Sequence, residues 1–163
     1  MGFFKGKLKD SALIYSIIDG DEPHMVQARA DMIQRLKHHR IDVFFSDTKD
    51  AVIAYEPMYG AMVPWVNAHI FSLKSIRGKG LMKFYIETGI EMASTRGTEV
   101  ITIVVPQSLG LRHSMFLSAM GADKRWDVLG NMMFTVDLTQ IQKYEDRLLK
   151  LQRNPEAQEA QGH

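Results

Sequence analysis

Between Val66 and Arg96 the chain switches from a strand-like to a helix-like hydrophobic period across a pair of glycines, and that switch narrows the folds open to it. From Asn67 to Leu73 polar and apolar residues alternate, with Phe71 and Leu73 on one face and Ala68 and Ile70 on the other. Gly78 and Gly80 flank Lys79 and mark a turn. From Leu81 onward Met82, Ile86, Ile90 and Ala93 recur at helical spacing, joined by Leu81, Tyr85 and Met92, while Lys83, Glu87 and Glu91 take the wet face. A helix that opens from a glycine turn leaves its first amides unpaired at the positive end of its dipole. With Arg77 and Lys79 adding charge, that spot suits an anion, a phosphate above all. A tight turn with no ligand would use the same residues, because Gly-x-Gly alone is a weak motif.

A chain of 163 residues suits one domain with a real core. A net charge of +1 gives no general reason to expect nucleic acid as a partner. The chain has no cysteine, which excludes disulfides, thiolate metal sites and cysteine nucleophiles. No apolar run reaches the roughly 18 residues that a membrane helix needs. The basic start lacks a small-residue cleavage site, so the expected location is the cytoplasm, with no membrane partner.

Taken in order, residues 1–10 are basic and read as a loose arm. Ala12 to Ile18 is predicted as a short strand, closed by Asp19-Gly20-Asp21. Pro23 suits a first helical turn, and Met25, Met32 and Leu36, with Val26 and Ile33, predict a helix to about His39. His38 and His39 are sequence neighbours that point apart, so no metal site is expected there. Ile41 to Ser46 and Ala51 to Glu56 are predicted strands around the polar turn from Asp47 to Asp50. Pro57 to Gly60 is a second turn, and Ala61 to Trp65 reads as strand, with Pro64 arguing for an edge or bulge.

Gly97 should stop the helix that began at Leu81. Val100 to Val105, almost continuously β-branched, predicts a buried central strand. Leu111 to Met120 suits a short helix closed by Gly121. Lys124 to Val128 and Met132 to Leu138 read as a hairpin. Thr139 is placed to cap a last helix to about Gln152, with Ile141, Tyr144, Leu148 and Leu151 as its apolar stripe. The plan is thus an arm (1–10), a domain (11–138), a C-terminal helix (139–153) and a disordered tail (154–163).

From about Ala12 to Leu138 this order resembles the GNAT superfamily of N-acetyltransferases. That resemblance implies an α/β (α+β) fold: a mixed, mostly antiparallel sheet with helices on both faces and a splayed central strand pair. The superfamily's turn signature is Gln/Arg-x-x-Gly-x-Gly/Ala. Arg77-Gly78-Lys79-Gly80-Leu81-Met82 matches it at Arg77 and Gly80 and departs at Met82. Phe116-Leu117-Ser118-Ala119-Met120-Gly121-Ala122 resembles the helix that ends in Leu-Gly-Phe, and Met133 to Leu138 suits the final strand. Within the superfamily, the run from His69 to Lys79 and the Phe116–Ala122 helix are similar to small GNAT-like proteins of tailed bacteriophages.

The resemblance implies acetyl-CoA as co-substrate and a primary amine on a small molecule or protein as acceptor. Its pyrophosphate would lie on Arg77, Gly78, Lys79, Gly80, Leu81 and Met82, and its pantetheine arm along the backbone of Phe71, Ser72 and Leu73. The superfamily's frequent general-acid tyrosine falls on Leu117, and its usual asparagine on Gly110. Direct transfer then needs a base to take the amine's proton. His69 is the first choice, since an ordinary histidine titrates near pH 6.5; Glu56 and His113 are the others. A core histidine bonded to backbone would use His69 equally well, and Glu56 also suits a surface role. The other expectation is a non-catalytic GNAT-fold phage protein with a virion-assembly or interaction role. Its C-terminal helix would meet a second copy or another phage protein.

Overall fold

The computed structural model describes residues 2–73, 81–105, 123–126 and 132–140, together with Asp146 and Lys150. They form a strand, β1 (Phe3–Lys5), two helices, α1 (Ser11–Ile17) and α2 (Pro23–Lys37), and three strands, β2 (Asp42–Ser46), β3 (Ala51–Pro57) and β4 (Trp65–Ser72). A third helix, α3 (Leu81–Arg96), precedes β5 (Val100–Val105), β6 (Asp123–Trp126) and β7 (Met132–Asp137). The strands make one seven-stranded sheet in the order β1-β2-β3-β4-β5-β7-β6. Every pairing is antiparallel except β4 with β5. This is the mixed, mostly antiparallel sheet that the sequence led us to expect.

Strand alternation divides the sheet's side chains between two cores. Val43, Phe45, Val52 and Ala54 pack under α1 and α2 against Ile14, Ile17, Met32 and Leu36. Phe44, Ile53, Tyr55, Ala68 and Ile101 pack under α3 against Leu81, Phe84 and Met92. Helices therefore cover both faces. In the turn between β2 and β3, Ser46 Oγ accepts from the amides of Asp50 at 3.2 Å and Ala51 at 3.1 Å, which organises the polar turn predicted there.

Four local expectations need correction. Phe3–Lys5, assigned to a loose arm, is instead β1, paired antiparallel with β2. Its phenylalanines supply the reason: Phe3 meets Phe44 edge-on at 5.6 Å and Phe4 stacks on Phe45 at 5.5 Å. The segment predicted as the strand Ala12–Ile18 is helix α1. Its buried residues Ile14 and Ile17, with buried Ile18 just past its end, point the same way, a spacing that a short continuous apolar run conceals. The Ser11 hydroxyl donates to the Leu8 carbonyl at 2.6 Å, in a turn where the Lys7 amide donates to Asp10 Oδ2 at 2.8 Å.

Ala61 to Pro64 are not strand, and β4 starts only at Trp65. Pro64 cannot donate to a ladder, and its carbonyl instead accepts from the amides of Glu99 at 2.8 Å and Val100 at 3.2 Å. The buried face of α3 is Leu81, Phe84, Thr88 and Met92, while Ile86 and Ile90 are half-buried. Thr88 can sit there because the Tyr55 hydroxyl is 2.7 Å from its Oγ1, which also donates to the Phe84 carbonyl at 2.9 Å. Gly97 ends α3 as expected, at φ +66°, with its amide donating to the Ala93 carbonyl at 3.1 Å.

After β7, Leu138–Gln140 form a 3-10 turn. The Thr139 amide and hydroxyl both donate to Asp137 Oδ1, at 2.9 and 2.6 Å, which organises this turn. The predicted helix at Leu111–Met120, most of the predicted C-terminal helix and the tail 154–163 lie outside the described residues. Among the described residues no helix is long and apolar enough to cross a membrane.

Asp42 ties three elements together. Its carboxylate is 3.0 Å from Lys5 Nζ on β1 and accepts from Arg96 Nε and Nη2, at 3.1 Å each, at the end of α3. Burial alone would raise its pKa, but hydrogen bonds from Arg96 and Lys5 and their charges outweigh it and hold the carboxyl below its ordinary 3.8. The stabilisation is therefore present above the unfolded value and lost as pH falls through the folded one. Arg96 is more than half exposed and screened by water, so Asp42→Asn should cost about 1 kcal/mol at pH 7. Thermal melts of the two proteins should converge as the pH drops below about 4.

Candidate active site

The parallel ladder between β4 and β5 runs from Trp65↔Val100 to Ala68↔Ile103 and stops. Yet β4 continues to Ser72, still paired with β3 as far as Ser72↔Ala51, and β5 continues to Val105, still paired with β7. The two central strands thus part company after Ala68. Past that point each has backbone N–H and C=O groups aimed at a space that the other strand no longer fills. This is the splayed central pair of the expected fold, and it is where an extended ligand can meet strand backbone.

His69 is the first residue of β4 beyond the split. Alternation puts it on the α2 face with Asn67 and Phe71, while Ala68 and Ile70 face α3. The register sets His69 opposite Ala54 and Asn67 opposite Glu56, so Glu56 is the diagonal neighbour of His69. Its Oε1 is 4.0 Å from His69 Nε2, and its Oε2 is 3.1 Å from Arg35 Nε on α2. The His69 side chain is 41% exposed, but Nε2 itself is buried and hydrogen-bonds to nothing among the described residues. Burial lowers the pKa of the ring below its ordinary 6.5; Glu56 pulls it upward, and Arg35 lowers it again. The outcome is a neutral imidazole at physiological pH, with a nitrogen free to receive a proton.

A cavity of about 380 Å³ opens between α2 and the β3–β4 face, lined by Gln27, Asp31 and Arg35 from the helix and by Ala54, His69 and Phe71 from the sheet. That volume suits a small molecule. Gln27, Asp31 and Arg35 stand one turn apart along a single row of α2. On the same sheet face Thr102, opposite Asn67, accepts from Trp65 Nε1 at 2.6 Å.

The structure therefore brings together two of the three expected bases, His69 and Glu56, and places Phe71 and Ser72 on β4 past the split, with Leu73 just after it. Leu81 opens α3 and buries its side chain in the core, and Met82 follows it in the helix. Arg77, Gly78, Lys79, Gly80 and His113 lie outside the described residues. Sequence reasoning missed Arg35 and Asp31, which it passed over while following the apolar stripe of α2. Their signal was the polar row at four-residue spacing, one turn per step, facing a strand that carries a histidine.

No protein-family model matches the sequence, and no curated protein matches it. Solved structures do match. The chain is similar to an N-acetyltransferase from Staphylococcus aureus Mu50 at a TM-score of 0.63 and 12% identity, over 85% of this chain and 99% of that one. It is similar to yncA from Salmonella typhimurium, solved with its cofactor acetyl-CoA, at 0.63 and 13%, over 85% and 94%. The GNAT domain of S. lividans PAT gives 0.65 and 12%, over 83% and 89%. Likeness at such identities establishes the architecture, and the chain has the GNAT fold.

Proposed function

We propose that this chain is an acetyl-CoA-dependent N-acetyltransferase that acts on a primary amine in the cytoplasm. The observation that carries the reading is the buried Nε2 of His69, without a hydrogen bond among the described residues, at the split between β4 and β5, with Glu56 beside it. A core histidine serving only structure would be expected to spend that nitrogen on a hydrogen bond. The fold shared with structures such as the acetyl-CoA complex of yncA supports the choice of co-substrate.

In this reading the backbone of Phe71, Ser72 and Leu73 holds the pantetheine arm. Arg77, Gly78, Lys79, Gly80, Leu81 and Met82 hold the pyrophosphate through amides and charge. When bound, acetyl-CoA supplies an acyl group already activated as a thioester. The protein's own task is then positioning and proton removal. His69 Nε2 takes the proton that the amine nitrogen loses as its bond to carbon forms, and Glu56 steadies the imidazolium. Arg35 fixes Glu56 for that role. Leu117 offers no proton to the departing thiolate, which leaves protonation of CoA to solvent.

Calorimetry with CoA and acetyl-CoA tests the reading. Saturable binding is expected, and Gly80→Glu should abolish it by setting a carboxylate against the phosphates. No binding at millimolar ligand would overturn it. The rival assembly role draws support from the loop between β3 and β4, where Tyr59 is 80% exposed and Met62 wholly so. A monomer by light scattering that also transfers acetyl groups would exclude that role as the primary one.

A further inference from the structure

We infer that the acceptor is an amine bearing one carboxylate, and that Arg35 holds that carboxylate while His69 receives the amine's proton. The inference rests on the transferase reading above and adds the chemical class of its substrate. Arg35 lines the cavity with a guanidinium only partly spent: Nε is paired with Glu56 Oε2 at 3.1 Å, and neither Nη hydrogen-bonds to any described residue. The two Nη groups form the end-on fork that grips a carboxylate through parallel hydrogen bonds. Glu56 orients that fork through Oε2 on Arg35 Nε, and its other oxygen is 4.0 Å from His69 Nε2.

One carboxylate thus stands between the guanidinium and the imidazole, its two oxygens 3.1 Å from Arg35 Nε and 4.0 Å from His69 Nε2. A short amino acid spans such a gap, with its nitrogen at His69 and its carboxylate at Arg35. Glu56 also repels a carboxylate that tries to bind in the reverse sense, with its charge at the histidine. Asp31, one helical turn before Arg35 in the same cavity, limits the acceptor to a single negative group. Its Oδ1 accepts from Gln27 Nε2 at 2.7 Å and so is held in place. An acceptor with a second carboxylate brings that group toward a fixed like charge.

The experiment measures acetyl transfer at saturating acetyl-CoA with glycine, β-alanine, alanine and aspartate, beside glycinamide and β-alaninamide, which differ in lacking the carboxylate. The wild type should use the acids at least about tenfold better in kcat/KM than their amides, and alanine better than aspartate. Arg35→Met should erase the preference for acids, and Arg35→Lys should keep part of it. Melting curves establish that each variant is folded, and the wild-type preferences alone decide the matter if Arg35→Met is not. Amides used as well as acids, aspartate used as well as alanine, or a preference untouched in folded Arg35→Met would each overturn the inference. Should calorimetry show no acetyl-CoA binding, the transferase reading fails separately. Ligand-observed NMR of β-alanine against β-alaninamide then tests the carboxylate site by itself: preferential binding of the acid that Arg35→Met removes supports it, and equal binding overturns it.

Discussion

Replacing His69 with alanine should lower kcat about 10²–10⁴-fold, the range ordinarily lost with a positioned general base. The melting temperature should change little, since the ring is partly exposed and its Nε2 bonds to nothing among the described residues. Binding of CoA should also survive, because in the proposed site the histidine faces the acceptor. The pH profile gives a sharper reading. The base must be neutral to work, so activity falls as pH drops through the pKa of His69. Burial lowers that pKa, Glu56 raises it and Arg35 lowers it, with a net displacement below 6.5. The acid limb of kcat/KM, which reports the free enzyme, should therefore lie below pH 6.5. Glu56→Gln removes the upward pull and should move the limb lower still. Arg35→Met removes a nearby positive charge and should move it up. Opposite shifts from two residues that pair with each other are hard to obtain from a merely structural cluster. A kcat unchanged in His69→Ala would end the assignment.

Much of this was legible from the chain because the key elements announce themselves by period. The alternation at Asn67–Leu73 put His69 and Phe71 on one face, and the structure keeps them there. The β-branched run Val100–Val105 marked the central strand, and Gly97 marked the end of α3. What escaped was decided by partners far away in sequence. Phe3 and Phe4 become a strand only because Phe44 and Phe45 receive them. Thr88 lies on the buried face of α3 only because Tyr55, on another element, answers its hydroxyl. Arg35 joins the candidate site through Glu56, again across elements. Local patterns specify periods and caps. They do not say which polar residue on a helix will find its partner on a sheet, and in this chain those pairings build the candidate site.

Phe84→Ala should be the most destabilising substitution in α3, at about 3–5 kcal/mol. Phe84 is wholly buried in the first turn of the helix, packed in the core shared with Tyr55, Ala68 and Phe134, its ring 5.9 Å from that of Tyr85. In a domain of this size the loss should lower the melting temperature by roughly 10 °C or more. Tyr55→Phe makes a useful contrast. It deletes one hydroxyl from the same layer, but Thr88 Oγ1 keeps its bond to the Phe84 carbonyl, so the cost should be only about 1 kcal/mol. Ile86→Ala and Ile90→Ala, at half-buried positions, should fall between the two. This order separates the observed buried face, Leu81-Phe84-Thr88-Met92, from the stripe through Met82, Ile86 and Ile90 that periodicity suggests. Had that stripe faced the sheet, Ile86→Ala and Ile90→Ala would cost most and Phe84→Ala little. The consequence reaches the proposed function, because Phe84 anchors the start of α3, the helix that begins directly after Gly80 in the chain. Phe84→Ala should therefore weaken CoA binding at temperatures where the protein remains folded, and Phe84→Leu, which refills most of the volume, should restore both stability and binding.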